Sequence, residues 1–180
     1  MFRCLAEAGK FVFFACLAAL AASRGPLAFA EAGKDPADIY AFHAVSDALS
    51  TSGMLHEGDV DVLRENGFET IIDLRIVDKG DTEAEEVQAT GMRYINVPTK
   101  WRKPQPESIE EFFAAMDANK DKKVLVHCGA NLRASAMVFL YRVIKQNTPY
   151  DIALRDLHEV WEPDKIWQAF IDEAIDRYSK

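Results

Sequence analysis

The sequence is poor in cysteine, and two of its three cysteines, Cys4 and Cys16, stand close to the N-terminus. Cys128 is therefore the only thiol beyond residue 16. A lone thiol excludes a disulfide within that part of the chain, so its fold cannot depend on a disulfide framework. Such a cysteine is either buried and inert or retained because it reacts.

Long hydrophobic runs are also missing. The longest apolar stretch, residues 11–22, has twelve residues, whereas a transmembrane helix needs about 20. It follows Arg3 and Lys10 and precedes Ala28-Phe29-Ala30, the small–x–small pattern after which signal peptidase cuts. The sequence predicts a signal peptide over residues 1–30, cleavage after Ala30 and a single domain over residues 31–180. The expected product is secreted or periplasmic, without stable membrane insertion.

Basic residues are outnumbered by acidic ones, 21 against 29, which gives a formal net charge of −8. An acidic protein of this kind is a poor partner for nucleic acid or anionic membranes. The four histidines are scattered without ligand spacing, so the sequence predicts no metal site and no cofactor.

Beyond residue 31, extended and helical patterns alternate in the manner of an α/β fold. We expect a three-layer sandwich in which helices flank a central, mostly parallel sheet of four or five strands. The strands are predicted at residues 48–53, 69–75, 92–97 and 123–127, the last being central. The helices are predicted at residues 59–66, 83–90, 108–119, 134–146, 150–160 and 163–178, and Ser108 with Glu111 forms a capping-box signature for the third.

The chemistry is predicted where the central strand ends. Cys128 follows the strand directly, a short loop comes next, and Arg133 precedes a buried helix. The first amides of a helix lack intrahelical partners and carry partial positive charge, so a loop curled over them binds oxyanions. Gly129 allows such a curl, and the guanidinium of Arg133 can donate to two phosphate oxygens at once. The same positive surroundings favour a nucleophilic thiolate at Cys128.

These residues resemble the dual-specificity branch of the protein tyrosine phosphatase superfamily, over about residues 48–146. The pieces that carry the resemblance are ALSTSG, TIIDLR, YINVP and VLVHCGANLRAS. The resemblance implies metal-independent hydrolysis of phosphate monoesters through a phosphocysteine. It makes Cys128 the nucleophile, Arg133 the phosphate clamp and His127 the residue that helps to hold the loop and the thiolate. The implied substrate cradle comprises Gly129, Ala130, Asn131, Leu132 and Ser135.

The sequence departs from that family in three places. Four residues separate Cys128 from Arg133 where the family has five, and Ala134 stands where the family has a serine or threonine, with Ser135 one position later. The loop after the strand at residues 92–97 lacks the aspartate that serves as general acid. Either another carboxylate replaces it, with Asp78, Asp81 and Glu107 as candidates, or the substrate has a good leaving group and needs no acid. The same loop carries Lys100, Arg102 and Lys103, a basic rim suited to an anionic substrate.

Two other functions remain open at this point. The four-residue spacing resembles rhodanese-type sulfurtransferases, which would carry a persulfide on Cys128. The loop could also belong to a catalytically weak domain that binds phosphorylated or sulfated ligands. Near the site, Asp73 is expected to bind backbone amides or pair with an arginine, and Trp101 either stacks on a substrate or covers the core.

Overall fold

The computed structural model describes residues 35–178, so the predicted signal peptide lies outside the described residues. The strands are β1 (His43–Ser46), β2 (Leu49–Ser52), β3 (Thr70–Asp73), β4 (Arg93–Asn96) and β5 (Val124–His127). The helices are α1 (Asp59–Glu65), α2 (Glu83–Ala89), α3 (Pro106–Asp117), α4 (Leu132–Ile144), α5 (Tyr150–Val160) and α6 (Lys165–Tyr178). In this range, no helix is long and apolar enough to cross a membrane.

The five strands form one sheet in the order β1-β2-β5-β3-β4. The pairs β2–β5, β5–β3 and β3–β4 are parallel, and only the edge strand β1 runs antiparallel. The predicted mostly parallel sheet with β5 at its centre is therefore confirmed. The sequence analysis missed β1, which is short and alternates half-buried with exposed residues, so no apolar run marks it.

Two hydrophobic clusters cover the two faces of the sheet, which gives the predicted three layers. The smaller cluster joins Leu125 of β5 to α1 and α2 through residues such as Leu63 and Val87. The larger one joins Val124 and Val126 to α3, α4, α5 and α6. Because successive side chains of a strand point to opposite faces, β5 is buried on both sides and sets the position of the residues that follow it.

Two helices begin earlier than predicted. Helix α3 begins at Pro106, with Gln105 as its N-cap, so the capping box at Ser108 does not form. Ser108 Oγ instead donates to the carbonyl of Pro98, at 3.4 Å. Proline at the first position explains the difference, because it has no N–H to be capped and its φ already suits a helix. Helix α4 begins at Leu132, so Leu132 and Arg133 belong to its first turn and not to the loop before it.

Candidate active site

The segment after β5 is held between the two strands that flank β5. The amide of Cys128 donates to the carbonyl of Ser52 at 3.3 Å, and the amide of Met54 donates to the carbonyl of Gly129 at 3.3 Å. On the other side, the amide of Leu74 donates to the carbonyl of His127 at 2.9 Å. The loop therefore lies at the carboxyl edge of the parallel sheet, where ligands of α/β proteins bind.

Asn131 turns the chain from this loop into α4. Its φ is 64°, in the left-handed region that asparagine tolerates better than most residues. Its side-chain Nδ2 donates to the carbonyl of Ala41 at 2.7 Å, and its own carbonyl accepts from the amide of Ser135 at 2.9 Å. Asn131 is fully buried, so the residue predicted to line the cradle with its amide also fixes the shape of the turn.

The backbone amides of residues 129–134 form no hydrogen bond of good geometry in the part of the chain that the structure describes, although Ala130 also pairs with Gly53 in an isolated antiparallel bridge. Three of them belong to the first turn of α4, whose amides cannot be satisfied within the helix. The other three precede the helix, in a segment that bends at Gly129 and Asn131 and forms a single bridge at Ala130. A row of free amides next to a helix N-terminus is a site for an anion.

The guanidinium of Arg133 lies beside this row. Its Nη1 donates to the carbonyl of Leu74 at 3.0 Å and to that of Thr99 at 2.8 Å. A Cβ placed on Gly129 would lie 3.8 Å from its Nη2, so the side chain folds back over the loop. Within residues 35–178 no carboxylate pairs with Arg133. One edge of this half-buried cation is thus anchored, and its other donors remain free for an anion.

Cys128 lies at the base of the loop. It is a free thiol, 1% exposed, and belongs to the larger hydrophobic cluster. The thiol is thus enclosed by the core at the end of β5.

His127 points to the opposite face of the sheet, toward α2. Its Nε2 lies 2.8 Å from Glu83 Oε1 and 3.5 Å from Asp73 Oδ1, and its side chain is fully buried. Arg75 joins the same group, with Nη2 donating to Asp73 Oδ2 and to Glu83 Oε2, each at 2.9 Å. Tyr94 completes it by donating its hydroxyl to Asp73 Oδ2 at 2.8 Å. The prediction that Asp73 pairs with an arginine and a backbone amide is confirmed, since the amide of Arg75 donates to Asp73 Oδ1 at 2.7 Å.

Opposing effects act on the charge of Asp73. Burial alone would raise the pKa of its carboxyl, but His127 and the hydrogen bonds from Arg75 and Tyr94 lower the pKa below its usual value. Burial would likewise lower the pKa of Arg75, and its bonds to Asp73 and its closeness to Glu83 and Asp81 raise that pKa instead. The group thus consists of charges that stabilise one another.

Asp73, Glu83 and His127 place potential metal ligands within 4.8 Å of one another. Arg75, however, already donates to both carboxylates, and His127 lies in direct contact with Glu83. The donor set is therefore that of an internal ion-pair network and does not fit a metal ion.

Replacing Asp73 by asparagine is expected to lower the free energy of unfolding by about 3–5 kcal/mol, because it breaks a buried ion pair and leaves Arg75 undercompensated. Urea denaturation at pH 7 measures this loss. The matched variant Asp78→Asn changes an exposed carboxylate and should stay within about 0.5 kcal/mol of the wild type.

The same measurement as a function of pH checks the sign of the effect. Because the pKa of Asp73 is lowered on folding, its contribution is complete above the unfolded value of about 4. The contribution is lost as the pH falls through the lower folded value. A difference between wild type and Asp73→Asn that grows toward acid would contradict this assignment.

Ser135 does not lie free beside the thiol. Its hydroxyl donates to the carbonyl of Asn131 at 2.8 Å and accepts from Trp161 Nε1 at 3.2 Å. The one proton of the Ser135 hydroxyl is thus used in a hydrogen bond to the first turn of α4. To donate to a departing thiolate, the hydroxyl would have to break this bond. Trp101 packs between Trp161 and Trp167, with ring centroids 5.5 Å from each. It therefore covers the edge of the core.

The loop that follows β4 is tied down at two points. Arg133 binds the carbonyl of Thr99, and Trp167 Nε1 donates to the carbonyl of Trp101 at 3.1 Å. Lys100, Arg102 and Lys103 are exposed. The loop that carries the general acid in the resembling family is thus in place here, next to the arginine, but it is basic.

The three replacement acids lie in different settings. Asp81 already has two partners. Its Oδ2 lies 3.3 Å from Arg75 Nη1, and its Oδ1 accepts a hydrogen bond from the amide of Glu83 at 3.0 Å. Asp78 and Glu107 are exposed, and Glu107 stands in the first turn of α3. Cys128, the amides and Arg133 lie in one segment after β5, and among the described residues none of these three carboxylates pairs with Arg133.

Sequence reasoning missed two members of the site region, Glu83 and Tyr94. Glu83 was read only as the first residue of a short helix, and Tyr94 only as part of a strand. No sequence signal distinguishes Glu83 from the other carboxylates of α2, and its burial follows only from the packing of that helix.

Comparison with known proteins agrees with this geometry. The family model of the DSP-PTPase phosphatase fused to NAD+ kinase matches residues 42–168. A DUF442 protein from Shewanella putrefaciens CN-32 is 33% identical, with a TM-score of 0.70, over 80% of this chain and 97% of that chain. No curated protein sequence matches.

Two more distant structures share the fold. TpbA of P. aeruginosa, solved with pTyr, is 18% identical, with a TM-score of 0.65, over 81% of this chain and 91% of that chain. The core catalytic domain of the PP-IP phosphatase SIW14 from S. cerevisiae is 16% identical, with a TM-score of 0.62, over 74% of this chain and 85% of that chain. Together, the extent of the family match and the identity to the Shewanella protein show that the chain belongs to the DSP-PTPase family, a dual-specificity-like branch of the protein tyrosine phosphatase superfamily.

Proposed function

We propose that the protein is a cysteine-dependent phosphatase that hydrolyses phosphate monoesters through a phosphocysteine intermediate. The observation that carries the proposal is the row of amides over residues 129–134, which includes the unpaired amides of the first turn of α4, beside a guanidinium without a carboxylate partner. Both features lie where a lone thiol follows the central strand. Such an arrangement stabilises the extra negative charge that a phosphoryl group develops while it is transferred.

In the first step the Cys128 thiolate attacks phosphorus, a P–S bond forms, and the P–O bond to the leaving group breaks. The departing oxygen takes a proton from solvent or from an acid. In the second step water attacks phosphorus and loses a proton, the P–S bond breaks, and inorganic phosphate and the thiolate are released. Arg133 and the amides of residues 129–134 hold the phosphoryl oxygens through both steps.

The substrate class is a phosphorylated molecule, as in the neighbour bound to pTyr. Lys100, Arg102 and Lys103 present positive charge beside Arg133 on a protein whose overall charge is −8. We propose that this rim attracts a substrate with further negative charge near its phosphate. We also propose that the enzyme acts outside the cytoplasm, on the strength of the signal-peptide pattern in residues 1–30.

Two assays of residues 31–180 test the proposed function. Release of phosphate from p-nitrophenyl phosphate supports it. Transfer of sulfur from thiosulfate to cyanide without release of phosphate would instead make the protein a sulfurtransferase. Binding of phosphate or sulfate with neither turnover would make it an oxyanion-binding domain.

Substrates with good leaving groups are expected to react much faster than alkyl phosphates. A general acid contributes about 10²–10⁴ in rate, and the loop over residues 99–103 supplies none. We therefore expect kcat/KM for p-nitrophenyl phosphate to exceed that for glycerol phosphate by about 10²-fold or more. A series of substituted phenyl phosphates measures the dependence on the leaving group. Equal rates for aryl and alkyl substrates would contradict the expectation, and loss of alkyl turnover in Asp78→Asn or Glu107→Gln would then locate the acid.

A further inference from the structure

A buried carboxylate lies on the far side of the sheet from the thiol and has no part in the steps described above. Glu83, the first residue of α2, is 8% exposed. One of its oxygens, Oε1, lies 2.8 Å from His127 Nε2, and the other, Oε2, accepts from Arg75 Nη2 at 2.9 Å. Its carboxylate thus bridges the residue before the candidate nucleophile and the arginine that follows β3.

His127 depends on this contact for its place. The imidazole is fully buried, and neither of its nitrogens nor Glu83 Oε1 forms a hydrogen bond of good geometry among residues 35–178, so Nε2 and Oε1 interact through their 2.8 Å approach alone. Its near neighbours from the surrounding elements are Asp73 of β3 at 3.5 Å and Glu83 of α2 at 2.8 Å. Burial of a polar ring is costly unless it is partnered, and the nearby carboxylate of Glu83 is the closer of the two groups that can offset this cost.

The main chain carries that constraint to the thiol. His127 ends β5 and its carbonyl accepts from the amide of Leu74, while the next amide, that of Cys128, donates to Ser52. A shift of the imidazole therefore moves the point at which the loop leaves the sheet. Catalysis is sensitive to such shifts, since a displacement of about 1 Å can cost about 10²-fold in rate.

We infer that Glu83 is a positioning residue for the reaction, acting through His127 on Cys128 and the loop. The inference rests on the proposed phosphatase function. Arg75 keeps two other carboxylates, Asp73 and Asp81, when Glu83 is changed, so the network can lose this charge without leaving a buried arginine unpaired.

The test compares Glu83→Gln with Glu85→Gln, the same change at an exposed position of the same helix. With p-nitrophenyl phosphate we expect kcat of Glu83→Gln to fall about 10- to 100-fold, with KM changed less than threefold. Glu85→Gln should match the wild type. A folded Glu83→Gln protein with wild-type kcat, or an effect confined to KM, would overturn the inference.

A double-mutant cycle with His127→Gln separates positioning from a general structural effect. If Glu83 acts through His127, adding Glu83→Gln to His127→Gln should change kcat less than twofold. Losses that multiply would show that Glu83 acts by another route. If Glu83→Gln alone does not fold, the double variant is used instead. It replaces both partners by neutral amides, which costs less stability than leaving one buried partner unpaired. Its kcat should equal that of His127→Gln. A kcat well below that of His127→Gln would overturn the inference in this case too.

A readout without substrate keeps this inference separate from the proposed function. The rate at which iodoacetamide alkylates Cys128 should fall at least about twofold in Glu83→Gln, because the reactivity of a thiol depends on its surroundings, and stay unchanged in Glu85→Gln. If the wild type releases no phosphate, the proposed function fails, and this measurement still decides whether Glu83 acts on Cys128.

Discussion

Replacing Cys128 by serine is expected to abolish hydrolysis of p-nitrophenyl phosphate, with kcat reduced by about 10⁴-fold or more, as for removal of other covalent nucleophiles. Serine keeps the size and hydrogen-bonding character of the side chain. Its hydroxyl, however, is a far weaker nucleophile than a thiolate at neutral pH. Because the described chain holds one cysteine, no second thiol can replace it. Steady-state release of p-nitrophenol measures the effect.

Binding provides the control for this variant. The free amides of residues 129–134 and Arg133 are unchanged in Cys128→Ser, so we expect it to bind phosphate as tightly as the wild type, within about threefold, by calorimetry. Loss of both binding and turnover would point to a collapsed loop. Turnover that survives in a folded Cys128→Ser protein would exclude a phosphocysteine intermediate.

Replacing Arg133 by lysine is expected to lower kcat/KM by about 10²–10³-fold, the usual cost of removing one preorganised donor to a transition-state oxygen. Lysine keeps the charge but not the planar fork of donors. It also cannot hold the carbonyls of Leu74 and Thr99 while it binds a phosphoryl group, as Arg133 can because Nη1 binds both carbonyls and Nη2 is left free. The loss should therefore appear mainly in kcat.

Arg155→Lys is the matched control, because Arg155 is exposed on α5 and the change there should leave both kinetic constants as they are. The melting temperature of Arg133→Lys shows whether the loss of kcat/KM is accompanied by a loss of stability. A kcat/KM within threefold of the wild type would mean that Arg133 serves only to tie the loops after β3 and β4 together.

Local patterns predicted most of the fold correctly. The run of residues 123–127 identified β5 as the central strand, and glycines after the first two helices marked their ends, as Gly67 and Gly91 do with φ of 80° and 86°. The strand β1 escaped notice because a half-exposed edge strand has no apolar run. The starts of α3 and α4 were placed two residues late, because the proline and the left-handed asparagine that set them were assigned to loops.

Some features of the candidate site could likewise be predicted from local sequence, and others could not. Cys128, Arg133 and the amides between them are close in the chain, and a strand followed by a tight turn and a helix brings them together whatever the rest of the protein does. Ser135 illustrates the limit of that reasoning. It stands one position beyond the serine or threonine of the family, and the structure shows that Trp161 and the carbonyl of Asn131 take both roles of its hydroxyl.

By itself, therefore, the sequence determined the elements other than β1, the central strand and the loop that joins thiol to guanidinium, because hydrophobic periodicity, glycine and helix N-termini act over a few residues. Only the tertiary structure decided that Arg133 is anchored to the ends of two other strands and that Glu83 meets His127. It also showed that the loop over residues 99–103, whose basic character the sequence already gives, is bound to Arg133 through the carbonyl of Thr99. These contacts join residues distant in the chain. They form because buried polar groups and charges must find partners across the packed elements, and no local pattern records which partner that will be.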